Sequence, residues 1–261
     1  MKVPLHIARR IATPVCLVCC GACNLIVGNE PVELDPRFAD AGTATPQLVA
    51  HWKFDEGTGN LLMDSSGNEN HGTLEGPTWA SGGLLFDGVD DAVRVPKNAS
   101  LDDLRPMTAV VWMTPNSAGQ QPEGLGRVLS KEGDGTQPGR WVLLVASAAG
   151  VHAKFIKSYT LVSELNQSSP NSILLQQRQQ LAMTWDGEPS ATGVHFYVNG
   201  QDVGHGDLQQ DGQASMSSDA PFDLMIGNAE FGERCFDGII DDIRLYRGVL
   251  SAAEIATLAS E

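Results

Sequence analysis

Runs of Val, Ile, Leu and aromatic residues recur about every 10 to 15 residues from Leu48 to the C-terminus, divided by Gly, Pro, Asn and Asp. They fall at 48–55, 83–88, 91–96, 107–115, 127–131, 140–147, 151–157, 179–187, 193–203, 222–228 and 236–250, and each reads as a strand. Several alternate with period two. Leu181, Met183 and Trp185 share a face against Ala182 and Thr184, and Val194, Phe196 and Val198 oppose His195 and Tyr197. Asn199-Gly200 lies between two such runs, and both residues suit the positive φ of a two-residue hairpin. One helix is predicted, over 251–260. Ser251 and Glu254 form a capping box there, and Ile255 and Leu258 make one apolar stripe. The pattern predicts an all-β fold, a sandwich of two antiparallel sheets with one short C-terminal helix.

The last strand raises a chemical question. In "FDGIIDDIRLYRGVL" (236–250), strict alternation puts Ile239, Asp241, Ile243 and Leu245 on one face and Ile240, Asp242, Arg244 and Tyr246 on the other. The first set is the more apolar, so Asp241 is expected to point inward. A carboxylate there costs several kcal/mol unless it pairs with an Arg, takes a proton or binds a cation. Arg244 and Arg94 are the cationic partners this reading offers. Asp242, on the wetter face, reads as solvated or paired with Arg244.

The formal charge of −15 excludes nucleic acid and anionic lipid surfaces as partners. Three cations, Lys2, Arg9 and Arg10, stand in the first 22 residues without an acid. They precede the apolar stretch "IATPVCLVCCGA", too short to span a bilayer and the size of a signal-peptide core. The expected organisation is a signal peptide at 1–22, a polar tether at 23–46 and one domain at 47–261. "CGAC" resembles a bacterial lipobox, which implies lipidation of Cys23. Asn24 after it points to the outer membrane, and ordinary cleavage near Ala22 is the alternative. Only Cys235 lies outside this leader, so no internal disulfide can form, and it reads as a small buried apolar residue.

Several segments together resemble one family. They are "LVAHWKFDEGTGNLLMDSSGNENHGTLEG", "LLFDGVDDAVRVP", "MTAVVWM", "LAMTWDG", "VHFYVNGQDV" and "FDGIIDDIRLYRGVLSAAEI", in that order. The chain is similar over about 47–260 to the laminin G-like, concanavalin A-like jelly-roll domains of bacterial secreted proteins. The resemblance implies that the first and last strands lie side by side, with a calcium often at their edge. Calcium takes six to eight hard oxygens. Asp55, Asp64 and Asp241, with Asn68 or Asn70 and backbone carbonyls, are the expected structural Ca²⁺ ligands. "DGVDD" (87–91) and "EGDGT" (132–136) read instead as turns.

Hydrolases of the resembled architecture carry E-x-D-x-x-E on one strand face, with the carboxylate pair about 5 Å apart. The sequence holds no such pattern, and no G-x-S-x-G, H-E-x-x-H or phosphate loop. His152 and His195 read as outward polar-face residues, and His71 as a turn residue. The segments 114–127 and 204–221 read as long polar loops at the rim. Trp79, outside a strand, either stacks on a sugar or plugs the end of the core. Trp52, Trp112, Trp141 and Trp185 read as core. The expected function is non-enzymatic recognition or adhesion at the cell surface, with glycan as the first ligand class and surface protein as the second. A membrane is reached only through the lipid anchor. A divergent polysaccharide hydrolase or lyase, and a structural envelope component, are the alternatives.

Overall fold

The computed structural model describes residues 45–261 except 120–123, 134–139, 148–149, 159–162, 214, 216, 231 and 233. The segments expected to be a signal peptide (1–22) and most of a tether (23–46), Cys23 included, lie outside the described residues. Strands follow in chain order: β1 (Gln47–Trp52), β2 (Leu61–Leu62), β3 (Gly72–Glu75), β4 (Thr78–Ala80), β5 (Gly83–Asp87), β6 (Ala92–Val95), β7 (Met107–Pro115), β8 (Leu125–Lys131) and β9 (Trp141–Ala146). Then come β10 (His152–Lys157), β11 (Glu164–Ser168), β12 (Gln179–Trp185), β13 (Val194–Val198), β14 (Gln201–Asp202), β15 (His205–Gln210), β16 (Leu224–Ile226) and β17 (Asp237–Arg247). Helix α1 (Ala252–Leu258) closes the chain behind the predicted Ser251–Glu254 capping box.

The strands form two antiparallel sheets, the jelly-roll sandwich expected. The first runs β14-β13-β12-β7-β17-β5-β4, with β1 also paired to β17; the second runs β15-β11-β10-β9-β8-β16-β6-β3-β2. The main core lies between them. Trp52, Phe86, Val111, Met113, Leu143, Phe155, Leu181, Met183, Trp185 and Phe196 are all buried there. Leu181, Met183 and Trp185 thus share the inward face, as their alternation predicts. Asn199 (φ 48°) and Gly200 (φ 76°) make the tight β13–β14 turn. On the outer face of the first sheet a smaller cluster forms. Val110, Ala182 and Tyr197 meet Leu250 and Ile255 of the helical segment.

Two expectations change. The 204–221 segment begins with edge strand β15, paired to β11, so it is not all loop. Its polar, Gly-bearing sequence hides a strand whose hydrogen bonds, rather than its apolar residues, fix it. In addition β2, β3, β4 and β11 are too short or too polar to show a hydrophobic period.

Strand β17 carries a bulge. Its residues Ile240 and Asp242 pair with Met113 and Trp112 of β7, leaving Asp241 as the extra residue. The side-chain alternation slips by one at that point. Ile240, Ile243 and Leu245 therefore all enter the core, and Asp241 and Asp242 both leave it. The inward aspartate expected from strict alternation does not occur.

Below the bulge, Gly238 has φ +142° and a Cβ there would stand 2.2 Å from the Thr114 carbonyl oxygen. The nearest atoms, in Thr114, Pro115 and Asn116, are all backbone, which prevents easy relief. Gly238→Ala is expected to lower unfolding free energy by about 3 kcal/mol, measured by urea denaturation.

Candidate functional site

The loop 64–70 does gather predicted residues, and a second bulge explains how. In β1, Leu48 and Ala50 pair with Tyr246 and Leu245, so Val49 drops out of the ladder. Its carbonyl must find other donors. Ser66 Oγ (3.1 Å), Asn68 Nδ2 (3.0 Å) and Asn70 Nδ2 (2.8 Å) all donate to it. Asp64 organises the same loop. Its Oδ1 accepts from the backbone N–H groups of His51 and Ser66, and its Oδ2 from Ser66 Oγ and the Asn70 N–H. The Asp64 N–H donates to His71 Nδ1, the Trp52 indole N–H to the Asn70 carbonyl.

Three of the five residues expected to bind calcium therefore converge: Asp64, Asn68 and Asn70. Asp55 is exposed on the chain leaving β1. Asp241 is held elsewhere, by an ion pair from Arg178 Nε at 2.5 Å. The partner is neither Arg244 nor Arg94. Arg244 serves Asp242 and Glu261, and Arg94 serves Glu75 and Asp223. The loop's donor set does not fit a calcium shell. N–H and O–H groups point at the Val49 carbonyl, and both Asp64 oxygens already accept two hydrogen bonds. Among the described residues, the place where three carboxylates approach one another is "DGVDD". There ligand atoms of Asp87, Asp90 and Asp91 lie within 4.8 Å of one another. Burial, with repulsion from Asp87 and Asp90, raises the Asp91 pKa against a hydrogen bond from the Asp87 N–H. The predicted turn is present too, since Asp87 Oδ1 accepts from the Val89 N–H.

Asp241 instead belongs to a group on the outer face of the first sheet. Ala109, Val111 and Met113 of β7 face the core, so Trp112 faces outward. It is only partly buried, not the core tryptophan expected. Gln180 of β12 and Asp242 of β17 flank it as cross-strand partners. The Arg178 guanidinium lies over the indole, 4.1 Å from its centroid, and its side chain is 55% exposed. Gln180 is fully buried, and neither end of its amide has a hydrogen-bond partner. Oδ1 of Asp241 is buried and unpartnered as well. Burial raises the Asp241 pKa, and Arg178 only partly offsets it. An indole, a guanidinium, a carboxylate and an amide thus stand together. Unsatisfied buried polar atoms are uncommon in native folds, and these three are concentrated around one aromatic ring.

The remaining expectations fall as follows. Trp79 lies within β4, paired with Leu84 of β5, and not outside a strand as expected; it donates its indole N–H to the Gly59 carbonyl at 2.8 Å and packs against the core edge, with part of the ring left exposed. His195 is on an outward position near His205, but His152 is buried, its Nδ1 2.6 Å from the Gly150 carbonyl oxygen. Cys235 is buried as expected. Its thiol donates to the Val89 carbonyl, and burial pushes its pKa up to about 11. Sequence reasoning assigned Trp112 to the core and passed over Arg178 and Gln180. The β7 alternation itself carried the signal for Trp112, whereas Arg178 lies just before its strand and shows no pattern.

Burial alone would raise the Asp64 pKa, but the hydrogen bonds from His51, Ser66 and Asn70 outweigh it and hold the carboxyl below its ordinary range. A lowered folded pKa means that the ionised group stabilises the fold above the unfolded pKa and loses that effect as pH falls through the folded value. Asp64→Ala is expected to cost about 3 kcal/mol at neutral pH. The difference from wild type should shrink as pH is taken below the ordinary Asp range, followed by urea denaturation at each pH.

Comparison with known proteins agrees with this architecture. No curated protein matches the chain. Domain 4 of AbnA, an extracellular GH43 arabinanase from Geobacillus stearothermophilus, in complex with arabinotriose, superposes with a TM-score of 0.57 at 19% identity, covering 82% of this chain and 98% of that domain. Trypanosoma rangeli sialidase gives 0.57 at 17% identity, and the binding domain of botulinum neurotoxin serotype D 0.59 at 12%, each over 82% of this chain. The matched regions make up 33% and 51% of those two chains. Such identities speak for the fold. Residues 87–256 match the family described as the concanavalin A-like lectin/glucanases superfamily, and the chain belongs to it.

Proposed function

We propose that the protein is a non-enzymatic, exported recognition module that binds glycan on the outer face of its first sheet, around Trp112. The observation that carries this reading is the unsatisfied group beside that ring. Sugars present an apolar face that stacks on an indole and a rim of hydroxyls that both donate and accept. The Gln180 amide can do both, Asp241 Oδ1 can accept, and Arg178 donates. Among the described residues only Nε of Arg178 is hydrogen-bonded within the protein, so its remaining N–H groups stay available. Arg178, the most exposed member, is free to turn aside or to sit on the ligand. The family's lectin membership and the arabinotriose complex of the AbnA domain support a glycan as the ligand class.

A glycan array with the full chain identifies ligands, and quenching of tryptophan fluorescence gives affinities. Trp112→Ala is expected to weaken binding by about tenfold or more, and Gln180→Ala to weaken it less. Incubation of any bound oligosaccharide should release no new reducing ends. Unchanged affinity in both variants would remove the outer face from the reading; new reducing ends would replace recognition with hydrolysis.

Export and anchoring rest on the basic start, the apolar stretch and "CGAC". Lipidation of Cys23 places the module at the bacterial outer membrane. Cys23→Ser is expected to move the protein from the membrane fraction to the soluble fraction on cell fractionation; an unshifted distribution argues against the anchor.

A further inference from the structure

Away from the platform at Trp112, a second cluster stands where the chain passes from one sheet to the other. β14, at the edge of the first sheet, ends at Asp202, and β15, at the edge of the second, begins at His205. The two residues between them fold the chain over. The Val203 N–H donates to the Phe196 carbonyl at 3.0 Å, and Gly204, at φ +66°, donates its N–H to Asp202 Oδ1 at 2.7 Å. The Ser169 N–H, just past β11, holds the Gly204 carbonyl at 3.3 Å. This turn sets the His205 ring beside His195 of β13, with ring centres 5.6 Å apart and planes 47° from each other. We propose that His195 and His205 together bind one divalent transition-metal ion of the zinc class, which joins the two sheets at this edge.

The surroundings sort the ring nitrogens into donors and ligands. His205 Nε2 lies 2.6 Å from the Val194 carbonyl oxygen. A carbonyl can only accept, so in the neutral ring Nε2 carries the proton and Nδ1 keeps the lone pair. His195 Nδ1 faces Asp202 Oδ2 at 3.8 Å. A carboxylate on that side favours the proton on Nδ1 and leaves the lone pair on Nε2. The other nitrogen of each ring has no hydrogen bond among the described residues. Metal-bound imidazoles have this arrangement: the nitrogen away from the ion faces a carbonyl or a carboxylate, which orients the ring and raises its basicity.

Distance and chemistry agree with one shared ion. An ion about 2.0–2.1 Å from one nitrogen of each ring puts the ring centres roughly 5–6 Å apart, and the observed separation falls there. Imidazole suits zinc, copper and nickel, whereas calcium and magnesium take oxygen. The pair thus differs in kind from the Asp87, Asp90 and Asp91 cluster. The His195 side chain is 45% exposed and Asp202 52%, so an ion reaches the rings directly and water completes its shell. A chain of net charge −15 draws cations to its surface. His205 already ties β15 to β13 through the Val194 carbonyl, and a shared ion adds a second tie between the same strands.

The test uses the full chain, uniformly ¹⁵N-labelled, and follows the histidine ring nitrogens by NMR as zinc chloride is added, with calcium chloride as the control. Reading the rings one by one keeps this site apart from zinc taken up by Cys16, Cys19, Cys20 and Cys23. Zinc is expected to shift His205 Nδ1 and His195 Nε2 along one shared saturation curve, and calcium to leave both in place. His195→Gln, an exposed change, should weaken zinc at His205 by about tenfold or more, since losing even an outer partner of a ligand costs that much. No shift at these nitrogens, separate saturation curves for the two rings, equal shifts with calcium, or a His205 curve unchanged by His195→Gln would each overturn the proposal.

Discussion

Strand β17 is the element on which the other parts depend. It is hydrogen-bonded to β7 along one edge and to both β1 and β5 along the other, so the N-terminal strand, an early hairpin and the sheet's middle all meet on it. Its bulge at Asp241 is what allows this. The same strand must send Ile240 into the core beside β5 and Ile243 and Leu245 into the core beside β1, and these positions are one residue out of phase. An extra residue restores the phase. The acid occupies the one position that belongs to neither face of the core, where a polar side chain is cheapest.

The bulges also explain where polar chemistry gathers. Each frees a backbone or side-chain group from the ladder and obliges the neighbourhood to respond. At Val49 the response is complete: three side chains cover the stray carbonyl, and Asp64 fixes the loop that delivers them. At Asp241 it is incomplete. Arg178 satisfies one oxygen, while the other oxygen and the nearby Gln180 amide remain without partners. A loop whose hydrogen bonds are all made is a structural clasp. A surface whose buried polar groups are not all made is where binding a ligand gains most, because the desolvation cost is already present in the free protein.

Much of this was legible in the sequence. The strands with a clean period, such as β7, β12 and β13, stand where the alternation of Leu, Met, Phe and Trp with polar residues put them. Asn199-Gly200 and Ser251–Glu254 delivered their turn and cap because each acts through local backbone chemistry. What failed needed distant information. Strict alternation sent Asp241 inward because a bulge is set by the partner strands, not by the strand's own composition. Its cation, Arg178, is 63 residues away in the chain and precedes a strand instead of lying in it. Asp64, Asn68 and Asn70 do come together in one loop, but the sequence shows only their oxygens as possible metal ligands, whereas the Asn68 and Asn70 amide nitrogens are taken up by a bulged carbonyl that the sequence does not reveal. Trp112 was misplaced for a simpler reason. Aromatic residues in strands are assumed to be core, although Val111 and Met113 on either side of it already filled the inward positions.

The position of α1 gives the outer face its division of labour. Ile255 and Leu250 cover Val110 and Ala182, the residues one pleat away from Trp112 and Gln180. Ala256 and Ala259 rest on Gly200, and Arg244 donates to Glu261 beyond the helix, which ties the C-terminus back to β17. Half of the sheet surface is thus closed by apolar packing, and the other half is left to an indole with charged neighbours. A helix longer toward the Pro115 end of β7 would bury Trp112 as one more packing residue, and a sheet without the helix would expose Val110 and Tyr197 beside it. The short helix fixes the edge of the open half, and the strands beneath hold its aromatic and polar members on a rigid sheet rather than on a loop, which is the arrangement that lets a shallow site keep its geometry before a ligand arrives.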